Sequence, residues 1–171
     1  MESMSKIEAV LFDLDGTLLD SFPDFLASLE NININSSSKK IDESIVRANV
    51  SDGSSKLLKL VFNIDKDDRD FDDYKRNFLN EYEKNILMYG NLFLGVSDLL
   101  NFLLEKKIPY GIVTNKPRKY TEIILKKSSL LRQSKVVICC DDGFESKPSP
   151  KGINHACNIL GVPNSKCIYI G

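Results

Sequence analysis

The sequence predicts an α/β protein: a Rossmann-like parallel sheet wound with helices, interrupted after its first strand by an all-helical insertion. The short continuous apolar run Ala9–Phe12 reads as a strand buried on both faces, and Tyr110–Val113, Val136–Cys139 and Cys167–Ile170 read as further strands. Amphipathic helical segments separate the last three, the alternation of a parallel sheet. Between about Ser21 and Met88, helical spacing recurs with no strand signal. At 171 residues the chain suits one core, residues 1–20 and 89–171, carrying a helical cap at 21–88.

Each element has its local reason. Met1 to Glu8 is polar and lacks a signal-peptide apolar core. Ala9-Val10-Leu11-Phe12 runs into Asp13, and Asp15-Gly16-Thr17 supplies a turn. Phe22, Phe25, Leu26 and Leu29 mark a helix, followed by a polar loop from Asn31 to Lys40. Asp42 is placed as the N-cap of a helix carrying Ile45 and Val46. Asp52-Gly53 breaks the chain before a helix with Leu57, Leu58, Val61 and Phe62. The acidic stretch Asp65 to Asp73 suits a helix start, and Phe71, Tyr74, Phe78, Tyr82 and Ile86 line one face of that helix. Tyr74 and Tyr82 read as packing residues of the helical block.

Past the insertion, Val96, Leu99, Leu100, Leu103 and Leu104 make an amphipathic helix that stops before Pro109. The strand Tyr110–Val113 ends in Thr114-Asn115, and Tyr120, Ile123 and Ile124 mark the next helix. Ser149-Pro150 reads as an N-cap and first-turn proline for a helix that Gly161 closes. The last strand, Cys167–Ile170, reaches the chain end at Gly171 with a face still to be covered. The core is therefore expected to be C-terminally incomplete.

Composition removes several function classes. Lys and Arg total 23 against 24 Asp and Glu, a net charge of −1, so no global basic field exists for nucleic acid or an anionic membrane. No apolar run reaches the roughly 18 residues of a spanning helix. Cys139, Cys140, Cys157 and Cys167 form no CxxC pair and read as buried, reduced thiols of a cytoplasmic protein. A single histidine, His155, excludes catalysis by several histidines and reads as a surface or packing residue. Lys106-Lys107 and Lys126-Lys127 read as solvated helix ends. Walker A and GxGxxG patterns are absent, so nucleotide cradling has no support.

Chemistry concentrates in Phe12-Asp13-Leu14-Asp15-Gly16-Thr17. In extended backbone, residues two apart point the same way, so Asp13 and Asp15 leave the strand together. They do so at a carboxyl end, where open α/β sheets bind ligands. Close carboxylates repel, which favours a bound cation or a proton on one of them. One acid can then act as nucleophile while its neighbour carries a proton. An Asp-Gly turn with an incidental second acid is the plainer alternative.

Asp13-Leu14-Asp15-Gly16-Thr17-Leu18 resembles the first motif of the haloacid dehalogenase superfamily. Ile112-Val113-Thr114-Asn115-Lys116 resembles its second motif and Lys147-Pro148 its third, in the same order. The helical insertion sits where members with a type 1 cap carry theirs. Leu11 to Ser21, Arg47 to Gly53, and Gly111 to Pro117 are similar to phosphoglycolate phosphatases and N-acetylmuramic acid 6-phosphate phosphatases. The resemblance implies that Asp13 is a nucleophile forming an aspartyl-phosphate and Asp15 its general acid/base. It implies that Thr114, Asn115 and Lys147 bind phosphate, and that Mg²⁺ is held by Asp13 and the Asp15 backbone carbonyl. Arg47, Ser51 and Gly53 would face the substrate, Arg47 pairing with a carboxylate.

Ile168-Tyr169-Ile170-Gly171 is similar to the strand before the family's fourth motif, and a further acidic metal ligand is expected after Gly171. Weak or absent turnover is the corresponding expectation for this length. The function implied is Mg²⁺-dependent hydrolysis of a small phosphorylated metabolite of the phosphoglycolate type. The alternatives are an N-acetylmuramic acid 6-phosphate phosphatase, a phosphosugar mutase of the same superfamily, and a non-catalytic fragment.

Overall fold

The computed structural model describes residues 6–33 and 40–171. The chain divides into two compact units, Met1–Leu19 with Leu92–Gly171 and Asp20–Asn91. The described strands are β1 Ala9–Phe12, β2 Leu19–Asp20, β3 Asn91–Leu92, β4 Tyr110–Val113, β5 Val136–Ile138 and β6 Cys167–Ile170. The described α-helices are α1 Phe22–Asn33, α2 Glu43–Asn49, α3 Ser54–Phe62, α4 Phe71–Asn85, α5 Val96–Glu105, α6 Arg118–Lys127 and α7 Lys151–Leu160.

The first unit is built on a four-stranded sheet of order β5-β4-β1-β6. Its pairings are all parallel: Val10 lies opposite Tyr110, Phe12 opposite Ile170, and Gly111 opposite Val136. Every residue of β1 and β4 is buried, as central strands with continuous apolar runs require. Leu11, Val113, Val136 and Ile138 pack with Ala156 and Cys157 of α7. Phe12, one residue on and so on the opposite face, meets Tyr110 edge-on at 6.5 Å.

Several elements depart from the sequence reading. β5 stops at Ile138, one residue short. β6 is an edge strand whose inward residues Cys167 and Tyr169 alternate with Ile168 and Ile170, each 41% exposed. Its outer edge has no neighbouring strand among the described residues. Pro150 holds the cap position of α7, while the hydroxyl of Ser149 accepts from Lys151 N–H at a weak 3.4 Å. The expected serine cap is thus displaced by one residue. The paired strands β2 and β3 are two residues each, too short to show a periodicity.

The second unit packs α1 against α4, with Phe25 4.3 Å from Tyr82 and 5.8 Å from Phe78 between ring centroids. Tyr82 is buried, and Tyr74 is half-buried beside Phe62 at 5.5 Å. Asp42 caps α2 as its residue type predicts, accepting from Ser44 N–H at 2.9 Å. The expected polar loop begins later than Asn31, because α1 continues to Asn33. Ile32 is buried there, and Asn31 donates to Glu81 at 3.1 Å. The rest of that loop, 34–39, lies outside the described residues, as do residues 1–5 of the N-terminal segment.

Asp24 looks in sequence like a solvated acid in a first helical turn, yet it is fully buried. Its carboxylate accepts backbone N–H groups of Leu87 at 2.7 Å and of Tyr89 and Gly90 at 2.9 Å. A Cβ on Gly90 would stand 2.7 Å from both Asp24 Oδ2 and the Asp20 carbonyl oxygen, so only glycine fits this clasp. Replacing Asp24 by Ala leaves three N–H groups unsatisfied and is expected to cost about 3 kcal/mol or more. Urea unfolding followed by circular dichroism measures this, and a loss below about 1 kcal/mol would show that the clasp does not stabilise the helical unit.

Candidate active site

Asp13 stands one residue past β1, and its N–H donates to the Ile170 carbonyl at 2.8 Å, extending the ladder with β6. A Cβ on Gly171 would lie 3.0 Å from the Asp13 Cβ and 2.9 Å from the Tyr169 hydroxyl. Glycine there lets the end of β6 close on the acid. Beyond Asp13 the chain folds into a tight turn: Leu18 and Leu19 donate to the Leu14 carbonyl at 3.0 and 2.9 Å. Gly16, at φ +84°, donates to the Leu19 carbonyl at 2.9 Å. Leu14 and Leu18 are buried and anchor this turn, with Asp13 and Asp15 flanking Leu14.

Each acid has its own lysine. Lys147 Nζ lies 2.6 Å from Asp13 Oδ1, which also accepts the Leu14 N–H at 2.7 Å. Lys116 Nζ reaches both oxygens of Asp15, at 2.9 and 2.8 Å. An ammonium thus stands against each carboxyl group, and positive charge there opposes repulsion between acids on neighbouring positions of one turn.

The lysines are positioned by the segments around them. Asn115 accepts from Lys147 N–H at 2.9 Å and donates to the Lys147 carbonyl at 3.1 Å, tying the two motifs together. Its carboxamide is committed to this backbone. Lys147 Nζ also donates to the Tyr169 hydroxyl at 2.9 Å. Burial raises the Tyr169 phenol above its ordinary value and the Asp13 charge adds to this, against the Lys147 hydrogen bond, so it stays protonated at neutral pH. Thr114 N–H donates to Ile138, and the Thr114 hydroxyl oxygen accepts the Lys116 N–H at 3.1 Å. That hydroxyl keeps its own proton for donation.

Arg118 fixes the chain just after Lys116. Its N–H donates to Asp141 at 2.8 Å, and its guanidinium binds the Asp142 carboxylate and the Val137 carbonyl. The Asp142 hydrogen bond raises the Arg118 pKa. Burial pushes Asp142 up, but Arg118 and the Cys139 N–H outweigh it and hold this carboxyl below its ordinary value. The Cys139 thiol, pushed up to about 11 chiefly by burial, stays neutral. Cys139, Asp141 and Asp142 lie close enough to share a cation, but Arg118 already serves both acids.

Within the first unit, Lys147 joins Asp13 to Asn115, and Lys116 joins Asp15 to Thr114. Arg47, Ser51 and Gly53 belong to the second unit. Arg47 stacks over the Phe22 ring, 3.9 Å from its centroid, and lies 3.5 Å from Asp20. Ser51 is in the 3₁₀ turn Val50–Asp52, and Gly53, at φ +89°, starts α3. Neither these residues nor the acid pair line the cavity of about 580 Å³ bounded by Asn31, Tyr74, Asn77 and Glu81. The four cysteines are free thiols, with Cys140 and Cys167 only half-buried rather than fully so. His155 packs against Phe144 at 4.4 Å. Among the described residues, no helix is long and apolar enough to cross a membrane.

Sequence reading missed Lys116 and Tyr169 as site residues. A cation just ahead of a helix N-terminus is unfavourable without a partner, and Lys116 precedes α6 in this way. That mismatch was the available signal. For Tyr169, it was the inward step of the alternation along β6.

A family model described as haloacid dehalogenase-like hydrolase matches residues 10–171. The chain is 32% identical over 166 residues to an N-acetylmuramic acid 6-phosphate phosphatase of Pseudomonas aeruginosa, covering 97% of this chain and 74% of that protein. It is 36% identical over 164 residues to a phosphoglycolate phosphatase of Xanthomonas campestris, covering 95% and 73%. A crystal structure described as a predicted phosphoglycolate phosphatase from Haemophilus somnus superposes with a TM-score of 0.84 at 23% identity, over 99% of this chain and 78% of that one. A hydrolase of the same superfamily from Geobacter sulfurreducens superposes at 0.77 and 20% identity, over 99% and 80%. These two likenesses show the fold.

The lowered Asp142 carboxyl carries a pH dependence. A depressed acid stabilises the fold above its unfolded value, near about pH 4, and loses that contribution as pH falls through the folded value. The stability gap between wild type and Asp142→Asn is therefore expected to narrow when urea unfolding is moved from pH 7 to pH 2.5. An equal gap at the two pH values would remove the ion pair as its cause.

Proposed function

Because the chain belongs to the haloacid dehalogenase-like hydrolases, we propose that it is a phosphatase acting on small, carboxylate-bearing phosphate monoesters through an aspartyl-phosphate. The supporting observation is the assignment of one lysine to each acid: Lys147 on Asp13 and Lys116 on Asp15. Each ammonium fixes one of two carboxyl groups that stand two residues apart at the end of β1.

In the proposed first step, an Asp13 carboxylate oxygen attacks phosphorus and the ester P–O bond breaks. The leaving alkoxide takes a proton from Asp15. In the second, Asp15 takes a proton from water as the water oxygen attacks the phosphoryl group. The bond to Asp13 breaks, inorganic phosphate departs and the nucleophile is restored. The Thr114 hydroxyl, whose oxygen already accepts from Lys116 N–H, donates to a phosphate oxygen, as does the Asn115 backbone N–H. Lys147 balances charge that builds on phosphate and Asp13.

The donors around Asp13 are hard oxygens, the type Mg²⁺ takes. Asp13 uses Oδ1 for Lys147 and Leu14, and its other oxygen and the Asp15 carbonyl are the groups proposed to hold the ion. Bound there, Mg²⁺ supplies positive charge to the phosphate oxygens.

Substrate choice is proposed to rest with Arg47, Ser51 and Gly53. A guanidinium matches a carboxylate, and phosphoglycolate and N-acetylmuramic acid 6-phosphate each carry one. The relative covering 97% of the chain supports the second as the alternative substrate. The proposed compartment is the cytoplasm, supported by four unpaired thiols.

Phosphate release from 2-phosphoglycolate and from N-acetylmuramic acid 6-phosphate in the presence of Mg²⁺ tests this reading. Asp13→Asn is expected to lower turnover at least about a thousandfold, and Asp15→Asn about a hundredfold or more. Wild-type turnover by Asp13→Asn would exclude it as the nucleophile.

A further inference from the structure

We propose that Lys116 is a positioning residue for the acid/base carboxylate, a role that rests on the phosphatase reading above. Its side chain is 4% exposed, and that of Asp15 13%. Ordering a long, strongly hydrated ammonium in so dry a place is costly unless a charge receives it. Asp15 receives it through both oxygens, at 2.9 and 2.8 Å. Two contacts from one donor restrict the carboxylate in rotation as well as in distance.

The lysine is itself held on either side. Its N–H is bound by the Thr114 hydroxyl at 3.1 Å. Pro117 follows at the cap of α6, and Arg118 is tied to Asp141, Asp142 and the Val137 carbonyl. A cation at that helix start is unfavourable unless an acid meets it. The nucleophile has a separate partner in Lys147, so loss of Lys116 removes orientation from Asp15 while leaving the Lys147–Asp13 pair in place. Misplacing a proton-transfer group by about 1 Å costs on the order of a hundredfold in rate.

The test compares kcat/KM, which reports events up to aspartyl-phosphate formation, for two esters. 2-Phosphoglycolate expels a basic alkoxide that needs a proton, whereas p-nitrophenyl phosphate expels a stable phenolate that does not. Lys116→Met is expected to lower kcat/KM about a hundredfold for the alkyl ester and less than about tenfold for the aryl ester. In an Asp15→Asn background no acid remains to be positioned, and adding Lys116→Met, which also removes the ammonium that has lost its carboxylate partner, is expected to lower kcat/KM less than about threefold. Equal losses on both esters, or a full further loss in the double variant, would overturn the positioning role. Turnover of both esters by Asp13→Asn at the wild-type rate would instead overturn the aspartyl-phosphate reading beneath it.

Discussion

Two carboxylates separated by one residue at the end of a buried strand repel each other, and the rest of the first unit answers that repulsion. Lys147 arrives from the segment before α7 and Lys116 from the segment before α6. Each takes a single acid. The division gives each of two like side chains its own cationic partner.

Neither lysine would hold its place on side-chain preference alone. Asn115 binds the Lys147 backbone through both ends of its carboxamide. Arg118 anchors the turn that carries Lys116, on acids that follow β5. The parallel pairing of β1 with β4 and β6 brings these strand ends level, so three distant stretches of chain meet at one edge of the sheet. In the helical unit a buried acid again organises backbone, there without any lysine: Asp24 gathers three N–H groups and holds the return of the chain after α4.

Composition and spacing determined much. The apolar runs Ala9–Phe12 and Tyr110–Val113 form central strands because a continuous apolar stretch can only be buried on both faces. Asp42 caps its helix because its side chain reaches the N–H two residues on. The Asp13–Asp15 pair, Thr114, Asn115 and Lys147 were legible as candidates, since their types and order follow a recognisable motif series. Only the tertiary structure decided the partners. That Lys116 belongs to Asp15, 101 residues away, that Asn115 serves Lys147 and that Asp24 is a buried clasp are consequences of long-range packing. Local pattern describes which face a residue shows along its own element. It carries no information on what the fold brings opposite that face, and charged side chains take their roles from that opposite party.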